Sequence, residues 1–130
     1  MSTDTAAPTV TGTDFIAVPT QDYERAARFY GEVLGLPFGK RWGDMPAGEF
    51  ETGNLTIALM QMDAFGQTFA PHVAPIALQV EDVAAARERL EAAGVTFVPE
   101  TIDSGVCHMA IFRDPDGNAL MLHHRYAPQD

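Results

Sequence analysis

Apolar and polar positions alternate or recur along this chain in a pattern that is written twice. Residues 14–18 read as a strand, and 22–34 read as a helix, with Ala26, Ala27, Tyr30, Val33 and Leu34 at helical spacing and Gly35 as its stop. About 60 residues later the grammar returns. Residues 76–80 form a strand-like run, Asp82 stands where an N-cap belongs, and Val83, Ala86, Leu90 and Ala93 make the apolar stripe that ends at Gly94. Strand-like segments follow each helix: 38–42, 49–52 and 55–62 in the first half, and 96–100, 106–112 and 119–124 in the second. Two βαβββ units are the economical reading, an α+β architecture with module one at about 13–63 and module two at about 74–127. Residues 1–12 are expected to be a flexible tail before a single domain at 13–127, and the connector 63–74, with Phe65, Phe69 and His72, is expected to pack.

Composition narrows the partners. The 130 residues carry 18 acidic against 8 basic side chains, a net charge of −10, which disfavours a nucleic-acid backbone or an anionic membrane surface. A chain of this length buries roughly two-thirds of its unfolded surface, enough for a core without staples. Cys107 is the only cysteine, so no intramolecular disulfide forms, and no apolar run reaches the length of a membrane span. A cytoplasmic location is expected, since residues 1–13 have neither the basic flank nor the apolar stretch of a signal peptide.

Two segments carry a family signature. Phe29-Tyr30-Gly31-Glu32-Val33-Leu34-Gly35-Leu36 and Asp114-Pro115-Asp116-Gly117-Asn118 resemble, in order and spacing, the first-helix ending and the last hairpin of the vicinal oxygen chelate superfamily. That group includes glyoxalase I, extradiol dioxygenases, methylmalonyl-CoA epimerase and the fosfomycin and bleomycin resistance proteins. The resemblance covers about 14–126. It implies curved mixed sheets around a cleft, a homodimer and, in metal-dependent members, four His, Glu or Gln ligands on the concave face. Aligned on the two motifs, those positions hold Phe15, Ala58, Pro75 and Met121. Three lack a donor atom and the fourth is a thioether, which suits soft Cu(I) rather than Zn, Mg, Mn or Fe(II). Slipping each strand by one residue brings in no better set, so no metal or other cofactor is expected at the family positions. An improvised site from His123 with Glu49 or Glu51, or with His72 swung in from the connector, is the remaining route to a metal.

Strand parity then collects Phe15, Ala17, Thr56, Ala58, Met60, Ala77, Met109, Ile111, Met121 and His123 as the cleft lining. Methionine adapts to irregular shapes and packs well on aromatic rings, so a small hydrophobic or aromatic molecule is the expected partner. Trp42, in a glycine-rich segment after the second strand, is a candidate lid, as are Phe65 and Phe69; Lys40 and Arg41 are candidates for an anionic group. The same parity separates Cys107 from His108, so they do not form a nucleophile and base pair, and His108 is expected to face a helix. The reading is a binding protein of the resistance type, with Phe15, Trp42, Thr56, Ala58, Met60, Met109, Ile111, Met121 and His123 at the ligand. Two alternatives stand beside it. One is a glyoxalase-, epimerase- or dioxygenase-like enzyme with an off-pattern metal; the other is a metal-independent isomerase or cyclase using His123, Glu49 or Glu51 as acid or base.

Overall fold

Each half of the chain starts its helix with the same carboxylate chemistry. Asp22 accepts the Arg25 N–H at 3.2 Å and Asp82 accepts the Ala85 N–H at 3.0 Å, each satisfying one of the amides that a helix start leaves without an intrahelical partner. The computed structural model describes residues 7–128, so residues 1–6 of the expected tail lie outside the described residues. The helix α1 (Tyr23–Arg28) is shorter than the sequence suggests, because Phe29–Val33 continues it as a π-helical turn. There the Leu34 N–H donates to the Phe29 carbonyl at 2.9 Å, and Gly35 at φ 74° ends the run. A five-residue change of pitch leaves the apolar spacing almost unaltered, so periodicity does not reveal it. The second helix, α2, is Val83–Ala92.

The strands are β1 (Phe15–Thr20), β2 (Phe38–Arg41), β3 (Ala47–Glu51), β4 (Thr56–Gln61), β5 (Ile76–Gln79), β6 (Ile102–Asp103), β7 (Cys107–Arg113) and β8 (Ala119–Arg125). They form two four-stranded sheets in the orders β1-β4-β3-β2 and β5-β8-β7-β6. In both, the strand before the helix runs parallel to the last strand of its unit and the other pairs are antiparallel, which is the expected βαβββ unit repeated. The expected strand at 96–100 does not form. Phe97 makes only an isolated bridge to Phe112, and pairing resumes at β6. Pro99 has no N–H for a ladder, and Arg87 takes the Pro99 carbonyl and the Thr101 hydroxyl, each at 3.1 Å.

One face of each sheet supplies the core. Val18, Phe50, Ile57 and Leu59 are buried with Tyr23, Ala26 and Tyr30 of the first helical segment, and Ala110, Phe112, Leu120 and Leu122 with Val83 and Leu90 of α2. The halves are tied by polar groups of the β7–β8 turn. The buried Asp114 carboxylate accepts the Asp116 and Asn118 amides at 3.0 and 2.9 Å, the Asn118 Nδ2 at 2.8 Å and the Tyr30 hydroxyl at 2.6 Å. Asp116 reaches back to β1, accepting from Thr20 Oγ1 at 2.5 Å, Gln21 N at 2.9 Å and Arg25 Nη2 at 2.9 Å. Asn118, wholly buried, donates to the Pro19 carbonyl and accepts the His72 amide, each at 2.8 Å. A turn-forming motif in sequence is thus also the joint between modules, and it pins the connector at His72.

Candidate functional site: the concave face

Residues that alternate with the core positions point the other way and lie on the concave face. On the first sheet Thr56 pairs with Phe15 and Glu51, and Ala58 with Ala17 and Glu49. On the second, Met121 pairs with Ala77 and Ile111, and His123 with Gln79 and Met109. Met109, Ile111, Met121 and His123 therefore make one contiguous patch on β7 and β8, while Phe15, Thr56, Ala58 and Met60 make another on β1 and β4. Met60, Met109, Ile111, Met121 and His123 are half-buried, and Phe15 is 41% exposed. Cys107 shares the parity of Met109 but is buried.

The first patch carries an aromatic group that its sequence spacing does not show. Trp42 follows β2, and its ring meets Phe15 edge-on at 5.5 Å and Phe65, in the 3-10 turn Met62–Phe65, at 6.4 Å. The indole N–H donates to Glu49 Oε2 at 2.7 Å. Ala47, two residues before Glu49 on β3, and Ala58, its partner on β4, share this face and are 0% exposed. Glu51, the next residue on this face, accepts the Thr56 hydroxyl at 2.7 Å. Glu49 was visible in sequence only as a possible ligand or acid; its bond to Trp42 depends on a through-space approach that alternation on β3 hints at and no motif records. Phe69 is half-buried in the connector. Arg41 turns to the opposite face, where it lies over the Tyr23 ring at 5.0 Å and contacts Glu24 at 3.3 Å, so it offers nothing to a ligand on the concave side.

The positions aligned with the family ligands, Phe15, Ala58, Pro75 and Met121, stand in the same strand register in both modules. Ala58 pairs with Ala17, two residues past Phe15, and Met121 pairs with Ala77, two past Pro75, so the offset is the same in both modules. All four positions share the concave parity, and their side chains do not fit a hard or borderline divalent cation. Nor do the described residues gather three His, Cys, Asp or Glu side chains around a common point. Glu49 and Glu51 are occupied by Trp42 and Thr56 in the first sheet, whereas His123 lies between Met109 and Gln79 in the second.

Other titratable groups lie away from this face. His108 does not settle beneath a helix as expected; its side chain is 43% exposed, 3.5 Å from Asp103 and tilted over the Tyr126 ring at 4.6 Å. The Gly105 amide and the Tyr126 hydroxyl hold the Asp103 carboxyl below its usual range, and the same bond raises the Tyr126 phenol. His124 Nδ1 is 3.1 Å from the Val80 carbonyl. A shallow groove of about 380 Å³ between Phe29, Val33, Val95 and Pro115 also lies off the concave patches, whereas another of about 440 Å³, lined by Asp14, Glu51, Asn54 and Thr56, adjoins the end of the first patch. No described helix is long and apolar enough to cross a membrane.

Comparison with known proteins gives the same frame. A family model for the Glyoxalase/Bleomycin resistance protein/Dioxygenase superfamily matches residues 12–122. Among solved structures, a member of that superfamily from Sphaerobacter thermophilus superposes with a TM-score of 0.77 at 22% identity, covering 89% of this chain and 98% of the other. TnmS3, an antibiotic binding protein from Streptomyces, superposes with a TM-score of 0.76 at 22% identity over 92% of this chain and 99% of its own. Lactoylglutathione lyase from Agrobacterium tumefaciens gives 0.71 at 18% identity over 90% and 96%. At such identities the likeness is one of fold. No curated protein matches.

Proposed function

The chain belongs to the Glyoxalase/Bleomycin resistance protein/Dioxygenase superfamily, and from that premise we propose that it binds a small hydrophobic or aromatic molecule on its concave face without a metal-centred step. The observation that carries this reading is the lining itself. Phe15, Met60, Met109, Ile111 and Met121 leave an adaptable apolar surface half-exposed at the place where the frame would otherwise hold metal donors. TnmS3, an antibiotic binding protein of the same fold, is in keeping with it.

The full ligand set is Phe15, Trp42, Thr56, Ala58, Met60, Met109, Ile111, Met121 and His123. The unit that folds is 13–127, and a second copy of the chain closes the open face as a homodimer. The buried Cys107 and the absence of any cysteine partner suit a reducing cytoplasm. The His123 imidazole, between Met109 and Gln79 and without a hydrogen bond among the described residues, favours as a second reading a metal-independent isomerase or cyclase with this group as acid or base.

Two flat tricyclic probes test the proposal by calorimetry: acridine, neutral at neutral pH, and proflavine, which is cationic and carries amino N–H groups. Binding of either probe is the expected result, and Met121→Glu, which puts a carboxylate in the β7–β8 patch, should weaken acridine about tenfold or more, since burying a charge that the neutral ring cannot pair is costly. If neither probe binds and neither raises the thermal midpoint, the concave face is not a site for flat aromatic molecules.

A further inference from the structure

The contact between Trp42 and Glu49 shows what the first patch selects. Resting on the reading of the concave face as a binding surface, we infer that Glu49 recognises a flat aromatic compound bearing an N–H donor or a positive charge, and that Trp42 occupies that place until such a compound displaces it.

The indole is the chain's own example of the ligand. It is a flat ring with one N–H, and that N–H lies 2.7 Å from Glu49 Oε2. Phe15 and Phe65 flank it edge-on, with interplanar angles of 68° and 88°, an arrangement that puts ring edges against a π face. Ala47 and Ala58, the neighbours of Glu49 on the same face, are small and fully buried. A molecule with a positive charge gains more from the carboxylate than indole does, because Coulomb attraction between opposite charges adds to the charge-assisted hydrogen bond that a neutral N–H already makes there. Glu49 is free to take it. None of the salt bridges among the described residues involves Glu49, and its cross-strand neighbour Lys40 is exposed.

Displacement is mechanically simple. Trp42 stands between β2 and β3, where its backbone N–H bonds the Ala47 carbonyl and its carbonyl accepts the Met45 N–H, at 2.9 and 3.0 Å. Rotation of the side chain alone removes the indole without breaking either bond. A donor or cation on the incoming ring replaces the indole N–H at Glu49, so the carboxylate is never left buried and unpaired. A ring without a donor evicts the indole and leaves Glu49 unsatisfied, and this difference is the source of selectivity.

Trp42 is the only tryptophan, so its indole N–H gives a single resonance in a proton–nitrogen correlation spectrum. Proflavine should shift that resonance away from its hydrogen-bonded position and bind about tenfold more tightly than acridine. Glu49→Gln should remove most of that preference, leaving acridine little changed. Trp42→Phe, which keeps a ring but frees the carboxylate, should bind proflavine at least as tightly as the parent, with far-ultraviolet circular dichroism confirming that each variant is folded. Equal affinity for the two probes, an unmoved indole resonance, or a preference that survives Glu49→Gln would overturn the inference and leave the binding reading in place. Binding of neither probe would overturn both.

Discussion

Asp114 accepts four hydrogen bonds while 5% exposed, and its removal strands every donor that it serves. Asp114→Ala should therefore cost about 3 kcal/mol or more, read from the urea midpoint at constant slope. Tyr30→Phe deletes one donor to a carboxylate that keeps three others, and should cost about 1–2 kcal/mol. The Tyr30 phenol is pushed far above its ordinary value, first by burial and then by the charge and hydrogen bond of Asp114. In the unfolded chain it ionises near about pH 10, whereas in the folded protein it stays neutral. Its contribution is thus fully present below that pH and is lost as pH rises further, because only the unfolded state releases the proton. A pH series of unfolding midpoints should fall less steeply above about pH 10 in Tyr30→Phe than in the parent. Tyr30 was recognisable beforehand as a helical core residue and Asp114 as a turn former. Their bond was not, since it joins positions 84 residues apart and neither residue signals the other.

At the level of elements, most of the pattern was legible for a physical reason. Strands buried on one face must alternate, and β4, β7 and β8 lie within one to two residues of their expected bounds because Ile57, Leu59, Ala110, Phe112, Leu120 and Leu122 are placed by that rule. The rule fails where side chains stop deciding. β6 has two residues, both exposed, and is held by pairing with Met109 and His108 rather than by burial. The concave parity of Met109, Met121 and His123 was likewise legible, but the meeting of Phe15, Trp42 and Phe65 was not, as it joins rings from β1, the β2–β3 turn and the connector. Close packing on the helix side gives β3 its own test. A Cβ at Gly48 would run into the Tyr23 hydroxyl and sit 3.2 Å from the Lys40 carbonyl. Gly48→Ala should lower stability by about 1–3 kcal/mol by thermal unfolding, as overpacking does in a close-packed interior.

The molecule as a whole adds charge and assembly. With 18 acidic residues against 8 basic, the field around the chain draws cations inward and salt damps that attraction. Raising the salt concentration should weaken proflavine binding while leaving acridine nearly unchanged; parallel salt responses would show that the global charge plays no part. The proposed homodimer, with a second copy closing the concave face, makes a further demand. Sedimentation velocity should show a dimer whose dissociation on dilution is opposed by proflavine, because a ligand that binds only the assembled form favours it by mass action.

The joint at the β7–β8 turn has a consequence in time. Thr20 and the Pro19 carbonyl leave the ribosome early, and the carboxylate and amide that satisfy them, Asp116 and Asn118, follow 96 and 99 residues later. Until that hairpin arrives, the far end of β1 carries polar groups whose native partners do not yet exist. Docking of the finished second module is then the natural late step of folding, delayed by the length of chain between the contacts.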